Sequence, residues 1–239
     1  MSDRVVIVGG TSGIGLATAR RLIDDGHQVV VTGRDQGRLH DALATLGEGA
    51  TGEVVDARDA EASREMFARL GSIDHLVVAA TGSRGMGALR DLDLAEVRAA
   101  VEDKLLAHLT TAQAALGALR ADGSITFVTA ITAEAAMPGT AGIGAVNGAV
   151  ATAVPTLAVE LAPMRVNAVS PGVVDTPWWD FLDAEARQAS FSAMAATTPV
   201  GRVGRPEDVA GAIAFLVGNS FVTGVVLPVD GGVRLRAAG

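Results

Sequence analysis

Seven short apolar runs, separated by longer stretches of mixed polarity, set the pattern of this chain. They cover residues 5–8, 28–32, 51–55, 73–79, 124–128, 165–169 and 225–229. These runs are predominantly apolar and rich in β-branched side chains, which is typical of strands covered on both faces. We therefore predict seven strands, most of them in a parallel sheet.

The stretches between the runs predict helices. Residues 13–25 follow a glycine turn and stop at Gly26, and residues 206–217 begin with Pro206, a favoured first-turn residue. Residues 94–118 predict one long helix, whose apolar face is formed by Val97, Val101, Leu105, Leu109, Ala112 and Leu116. Pro155 lies inside another helical stretch, where we expect a kink because it cannot donate to the carbonyl of Ala151.

Alternating strands and helices with short connections predict right-handed crossovers. The fold class is therefore a doubly wound α/β sandwich of Rossmann type, with a seven-stranded, mostly parallel sheet and helices on both faces. No linker or repeat divides the chain, so we predict a single domain over residues 1–239.

Composition narrows the classes of partner. The net charge is −8 with no basic block, which argues against nucleic acid, and no apolar run approaches the length of a membrane span. The chain has no cysteine and no His–acid spacing of a metal site, so we expect neither disulfides nor a metal. A cytoplasmic location is the resulting expectation.

The strongest local signal is a glycine loop between the first strand and the first helix. Its residues are Gly9, Gly10, Thr11, Ser12, Gly13, Ile14 and Gly15. Gly9 permits a tight turn, Gly13 lets the backbone approach a pyrophosphate, and Gly15 allows the helix to pack closely on the strand. The free N–H groups at the helix start then favour an anion. An ordinary glycine turn is the alternative, but the flanking strand and helix favour dinucleotide binding.

The end of the second strand indicates which dinucleotide binds. A site that binds a free ribose 2′-hydroxyl has an acidic residue there, whereas a site that binds a 2′-phosphate has an arginine. The sequence reads Thr32-Gly33-Arg34, so NADP(H) is preferred over NAD(H). The alternative for Arg34 is a solvated surface charge.

These motifs, with others further along, resemble the short-chain dehydrogenase/reductase family over almost the whole chain. The matching segments are 55–57, 74–81, 165–172, 175–177, 202–210 and 229–232. The resemblance implies cofactor contacts by Asp56 and Ala57 at the adenine, by Ala79 and Ala80 after the fourth strand, by Pro171 and Gly172, and by Thr176 at the nicotinamide carboxamide.

The family's usual Asn–Ser–Tyr–Lys catalytic set does not align. Its four positions fall on Lys104, Ala130, Ile143 and Asn147, and the chain has no tyrosine at all. The asparagine and lysine positions look exchanged, and in the family they lie close together beside the nicotinamide ribose. Lys104 can therefore supply a proton if burial lowers its pKa, while Asn147 holds the ribose hydroxyls. The alternative is that Lys104 is a solvated helix residue.

Other polar residues near these positions are weaker candidates. Thr129 or Thr132 can orient a substrate oxygen, although each can equally bond the backbone. His108 is either a proton relay or a structural histidine, and Glu134 either a base or a solvated acid. Trp178 and Trp179 are predicted in a lid over the nicotinamide, with a core or interface role as the alternative.

Three functions follow from these alternatives. The first is an atypical NADP(H)-dependent oxidoreductase that transfers a hydride to or from a small carbonyl or alcohol, with Lys104, Thr132 and Asn147 as catalytic residues. The second is a sensor or partner subunit that binds NADP(H) without turnover, and the third is a cyclase or isomerase. The resemblance also implies a homo-oligomer, a dimer or tetramer.

Overall fold

A computed structural model describes residues 2–235, so Met1 and residues 236–239 of the predicted domain lie outside the described residues. The strands are β1 (Arg4–Val8), β2 (Gln28–Gly33), β3 (Ala50–Val54), β4 (Ile73–Val78), β5 (Leu119–Val128), β6 (Arg165–Pro171) and β7 (Val226–Val229). All seven predicted strands are present. Their bounds differ most at β5, which begins five residues before the predicted start.

The strands form one sheet in the order β3-β2-β1-β4-β5-β6-β7, and every neighbouring pair is parallel. The predicted fold class is therefore confirmed. The chain reverses its direction of travel across the sheet between β1 and β4. At this switch point Val8 pairs with both Thr32 and Val78, so the loops that follow β1, β2 and β4 open on one crevice, where such sheets bind ligands.

Eight α-helices cover the sheet in the described residues. They are α1 (Gly13–Asp24), α2 (Gln36–Leu46), α3 (Ala60–Leu70), α4 (Leu94–Ala100), α5 (Ala107–Ala115), α6 (Ala141–Glu160), α7 (Ala184–Thr197) and α8 (Pro206–Gly218). Strand residues such as Val6 and Val8 pack with α3, α5 and α6 on one face, while Val5 and Ile7 pack with α1, α2 and α8 on the other. Alternating strand side chains thus fill two cores.

The structure corrects one expectation, the single regular helix over residues 94–118. A π-helical segment (Val101–Leu106) joins α4 to α5, and Ala107 donates to the carbonyl of Glu102, five residues back. The inserted residue rotates the following turns, so the predicted apolar positions Leu109 and Leu116 remain 38% and 39% exposed. Ala112 is buried as predicted, and the other buried positions are Ala100, Lys104, Ala107, His108, Thr111 and Ala115.

Helix α6 contains Pro155, as predicted, while the kink expected there stays a prediction. It is the only helix among residues 2–235 long and apolar enough to cross a membrane by length and composition. Val150, Val154 and Ala158 pack into the core beside the sheet. These contacts are those of a core helix in an α/β sandwich.

Candidate functional site

The glycine loop after β1 is shaped by backbone contacts that leave no room for side chains. Gly9 has a φ of +84°, and a Cβ on it would lie 2.7 Å from the amide nitrogen of Ala80. A Cβ on Gly15 would lie 2.1 Å from the carbonyl oxygen of Gly9. The start of α1 is therefore held against the loop, and the loop is held against the residues that follow β4.

The amino end of α1 presents unpaired amides at this point. Ser12 is the N-cap, but its side chain makes no capping bond in the part of the chain that the structure describes. Gly13 lies close to Thr176, since a Cβ at Gly13 would be 3.3 Å from the Thr176 methyl carbon. The N–H groups and the positive end of α1 thus favour an anion at the loop, next to Thr176.

The end of β2 lacks the acidic side chain that an NAD-type site uses there. Gly33 stands at this position, and a Cβ on it would lie 2.7 Å from the methyl carbon of Thr11, so a larger residue would require Thr11 to shift. The next residue, Arg34, is exposed and forms no ion pair within residues 2–235. A guanidinium is thus free for a phosphate, and Gly33 offers no carboxylate to a ribose hydroxyl.

Asp56 follows β3 and is engaged by Arg58, which the sequence reasoning missed. Arg58 donates to both carboxylate oxygens, the shortest contact being 2.6 Å, and also to Asp103 at 3.1 Å. These bonds from Arg58 hold the pKa of Asp56 below its usual range. Asp56 therefore remains a carboxylate acceptor at neutral pH. The arginine two residues after the acid was the signal for this pair.

Lys104 lies inside the fold, and its interpretation as a solvated residue is wrong. The side chain is 6% exposed, and Nζ lies 3.4 Å from the carbonyl oxygen of Thr129 and 3.5 Å from Oγ1 of Thr81. No carboxylate lies within ion-pair distance of Nζ in the described chain. Burial without a counter-charge lowers the pKa of Lys104 from 10.5 to about 7.

The charged groups near Lys104 are turned to other partners. Asp103, its chain neighbour, binds Arg58 and approaches Arg84. His108 lies one turn away, with Nδ1 2.8 Å from the Lys104 carbonyl oxygen and Nε2 3.3 Å from that of Val128. Burial, followed by the positive charge of Lys104, lowers the pKa of His108 to about 3. His108 is thus a neutral residue whose single ring N–H donates to one of these two backbone carbonyls, which fits the structural interpretation.

The structure distinguishes the two threonines after β5. The hydroxyl of Thr129 donates to the backbone carbonyl of Asn147 at 2.8 Å, so it joins the end of β5 to α6. The hydroxyl oxygen of Thr132 accepts a bond from Nδ2 of Asn147 at 2.9 Å. Its own proton remains available for another acceptor. Asn147 is 1% exposed, and its Oδ1 has no hydrogen-bond partner among residues 2–235.

The positions of the family's serine and tyrosine hold groups without side-chain hydrogen bonds. Ala130 follows β5, and Ile143 lies in the first turn of α6, where its backbone N–H donates to Gly85 at 2.9 Å. Glu134 is exposed beyond the short 3-10 helix Ile131–Ala133. Lys104 is therefore the polar side chain whose basicity is altered most favourably for proton transfer here.

Trp178 and Trp179 belong to a segment that crosses the crevice. The indole N–H of Trp178 donates to the carbonyl of Gly82 at 3.1 Å, which joins the segment after β6 to the loop after β4. Trp179 donates to Val174 at 3.0 Å, and both rings pack with Phe181. This arrangement joins the loops after β4 and β6, and the role of the two tryptophans as a lid over the nicotinamide stays a prediction.

The sequence contains one further signal, which is the type of basic residue at each position. Of the 19 lysines and arginines in the chain, Lys104 is the only lysine. Lysine can lose its proton near neutral pH when buried, whereas arginine cannot. The one basic residue that can lose its proton near neutral pH, Lys104, is therefore also the one buried beside the crevice.

The chain is similar to dehydrogenases along nearly its whole length. The sequence profile described as enoyl-(acyl carrier protein) reductase matches residues 8–234. The cis-4-hydroxycyclohexanecarboxylate dehydrogenase of Sinomonas cyclohexanicum is 36% identical, with 97% of this chain and 96% of that protein covered.

Two solved structures carry the same architecture. A small-chain dehydrogenase in complex with NADPH has a TM-score of 0.83 at 30% identity, covering 99% of this chain and 100% of that one. ElxO with NADP bound has a TM-score of 0.89 at 26% identity, with the same coverage.

Proposed function

Since this chain belongs to the short-chain dehydrogenase/reductase family, we propose that it is an NADP(H)-dependent oxidoreductase that works without a catalytic tyrosine. Its reaction is hydride transfer between the cofactor and a small carbonyl or alcohol. The observation that carries this proposal is Lys104, a buried lysine without a counter-charge, whose pKa of about 7 suits proton transfer.

The residues at the switch point fit NADP(H) from end to end. The amides of Thr11, Ser12, Gly13 and Ile14 would bind the pyrophosphate, and Arg34 would bind the 2′-phosphate. Further contacts would come from Asp56, Ala57, Ala79, Ala80, Pro171, Gly172 and Thr176. The unpaired Oδ1 of Asn147 is an acceptor suited to a ribose hydroxyl. When bound, the cofactor supplies the hydride.

Lys104 and Thr132 complete the reaction in this proposal. The ammonium of Lys104 donates a proton to the carbonyl oxygen during reduction, and the neutral amine takes the proton of the alcohol in the reverse direction. Thr132 orients the same oxygen, because Asn147 occupies its acceptor side and leaves its O–H free to donate. In this proposal Asn147 therefore binds the cofactor ribose through Oδ1 and positions the hydroxyl of Thr132 through Nδ2.

A non-catalytic sensor or partner subunit would not need this lysine, and a cyclase or isomerase would not consume NADPH. Burying an uncompensated amine costs stability, so its presence beside the crevice favours a chemical role.

The proposed oxidoreductase and its alternatives make different predictions in one assay. We expect the purified protein to bind NADPH, measured by fluorescence, and to oxidise it when uncharged ketones are supplied, measured by absorbance. Tight NADPH binding with no turnover across carbonyl and alcohol classes would favour the alternatives.

The role of Arg34 is tested separately by affinity. Arg34→Ala removes a charge-assisted bond to the 2′-phosphate, worth about 1.5–3 kcal/mol, so we expect NADPH affinity to fall about tenfold to a hundredfold. NADH affinity stays unchanged because NADH lacks that phosphate. Arg64→Ala, which removes an exposed arginine of α3, is the charge-matched control. Equal losses for NADPH and NADH would contradict the role of Arg34.

Association with further copies of the chain is also proposed. An open groove of mostly apolar character on α6 is lined by Ala149, Thr152, Ala153, Thr156 and Leu157, of which Thr152 and Thr156 are exposed. Small side chains allow two such helices to approach closely, which supports a homo-oligomer. Light scattering of the native protein gives the mass that decides between monomer, dimer and tetramer. A cytoplasmic location stays a prediction.

A further inference from the structure

Lys104 has a second chemical property besides its proton. Its amine has no carboxylate partner in the described residues, and its two neighbours, the carbonyl oxygen of Thr129 and the hydroxyl of Thr81, lie at 3.4 and 3.5 Å. These contacts are long for charge-assisted hydrogen bonds. These contacts therefore position the amine, but they do not stabilise its protonated form.

The amine lies close to an exposed residue of the crevice. Thr81, at the start of the loop after β4, is exposed, and its hydroxyl oxygen lies 3.5 Å from Nζ. The surrounding groups on other elements are uncharged: Thr129 after β5, and Asn147 on α6. On its own helix, His108 is neutral and Asp103 is bound to Arg58. No neighbouring charge in residues 2–235 therefore stabilises the ammonium.

We propose that the amine of Lys104 condenses with small uncharged aldehydes to form an imine, which makes it a covalent carbonyl-binding site. Nζ attacks the aldehyde carbon and forms the N–C bond. The C–O bond then breaks, the oxygen leaves as water with two protons, and a neutral C=N bond remains. The reaction needs no oxidant, reductant or cofactor.

Three observations favour this chemistry at this residue. Burial places the pKa of Lys104 at about 7, so a large share of the amine is neutral and nucleophilic at neutral pH. Condensation replaces a buried charge by a neutral group, which relieves the desolvation penalty. Finally, the chain has no other lysine, so the site is unique in the sequence. The proposal rests, like the proposed function, on the placement of Lys104 beside the crevice and on its lowered pKa.

The test traps the imine without the cofactor. Native protein is incubated at neutral pH with propanal and sodium cyanoborohydride, which reduces imines to stable secondary amines, and the adducts are located by peptide mass spectrometry. We expect one propyl group on Lys104 in addition to labelling of the terminal amine. Lys104→Arg keeps the positive charge and loses this adduct.

An ordinary lysine in the same chain provides the matched comparison. Arg64→Lys places an amine on the exposed surface of α3, where an unperturbed pKa near 10.4 keeps it almost fully protonated. We expect Lys104 to be labelled at least about tenfold faster than that amine, despite its burial. No adduct on Lys104, or slower labelling than at the surface amine, would overturn the proposal.

A parallel incubation separates this proposal from the proposed function. With NADPH in place of cyanoborohydride, a stable adduct on Lys104 supports both, because it requires the imine and hydride delivery at the same place. An adduct with cyanoborohydride alone supports the imine and counts against hydride delivery. Ketone reduction without any adduct in either incubation supports the proposed function and overturns the imine.

Discussion

We expect Lys104→Met to lower kcat for carbonyl reduction by about 100-fold or more, the usual contribution of a general acid. Methionine has nearly the same length and suits the buried site, but it cannot donate a proton. NADPH affinity is expected to stay close to that of the native protein, because the phosphate contacts lie at the glycine loop and Arg34. Steady-state kinetics and fluorescence titration measure the two quantities on the same preparation.

The same substitution is expected to make the protein more stable. The folded-state pKa of Lys104, about 7, lies below the ordinary value of 10.5, so burial of the amine opposes folding wherever the unfolded chain is protonated. The penalty is complete below pH 7 and disappears as the pH rises towards 10.5. The pKa difference sets a ceiling of about 5 kcal/mol, and we expect a gain of about 2–4 kcal/mol in the free energy of unfolding at neutral pH.

Lys104→Arg is the control for charge. It retains a cation that cannot give up its proton, so it should be as inactive as the methionine variant and less stable than the native protein. A methionine variant that keeps more than about a tenth of the native kcat would contradict proton donation by Lys104. Equal stability of the methionine variant and native protein at neutral pH would contradict the depressed pKa.

The second large effect concerns the glycine loop. Gly15→Ala places a Cβ where it would lie 2.1 Å from the backbone oxygen of Gly9 and 3.0 Å from the Cα of Gly10. Backbone atoms cannot give way as a flexible side chain can, so α1 must move away from the loop. We expect a loss of about 3 kcal/mol or more in the free energy of unfolding, and loss of measurable NADPH binding.

Gly211→Ala is the matched control in α8. A Cβ at Gly211 meets nothing within 4 Å, so the helix gains from alanine by about 0.5–1 kcal/mol without strain. Thermal unfolding of the two variants, with NADPH titration, is expected to shift Tm in opposite directions. A Gly15→Ala protein that binds NADPH normally would show that the close packing of α1 on the loop does not form the cofactor site.

Much of the fold was predictable because its strands and turns are determined by short local patterns. The run from residue 5 to residue 8 is apolar throughout, and the glycines after it have only a few compatible conformations. Parallel pairing then places the ends of β1, β2 and β4 together, so Gly9, Arg34 and Ala80 were expected at one crevice. These expectations needed no knowledge of side-chain packing.

The depth of Lys104 was not predictable, because the buried face of its helix depends on a π-helical segment. A regular helix would place Val101, Leu105 and Leu109 inward, whereas the inserted residue turns Lys104 and His108 towards the sheet. Apolar periodicity carries no information about such an insertion. The pairing of Thr132 with Asn147 was equally inaccessible, since it depends on how α6 docks beside the end of β5.

The central claim is that Lys104 supplies the proton that a tyrosine supplies elsewhere in the family. Its most direct test is the pH dependence of kcat/KM for carbonyl reduction. Reduction needs the ammonium form, so we predict a constant value at low pH and a fall of about tenfold per pH unit above a pKa near 7. A profile without a break between pH 6 and pH 9, or one that is unchanged in Lys104→Met, would contradict the claim.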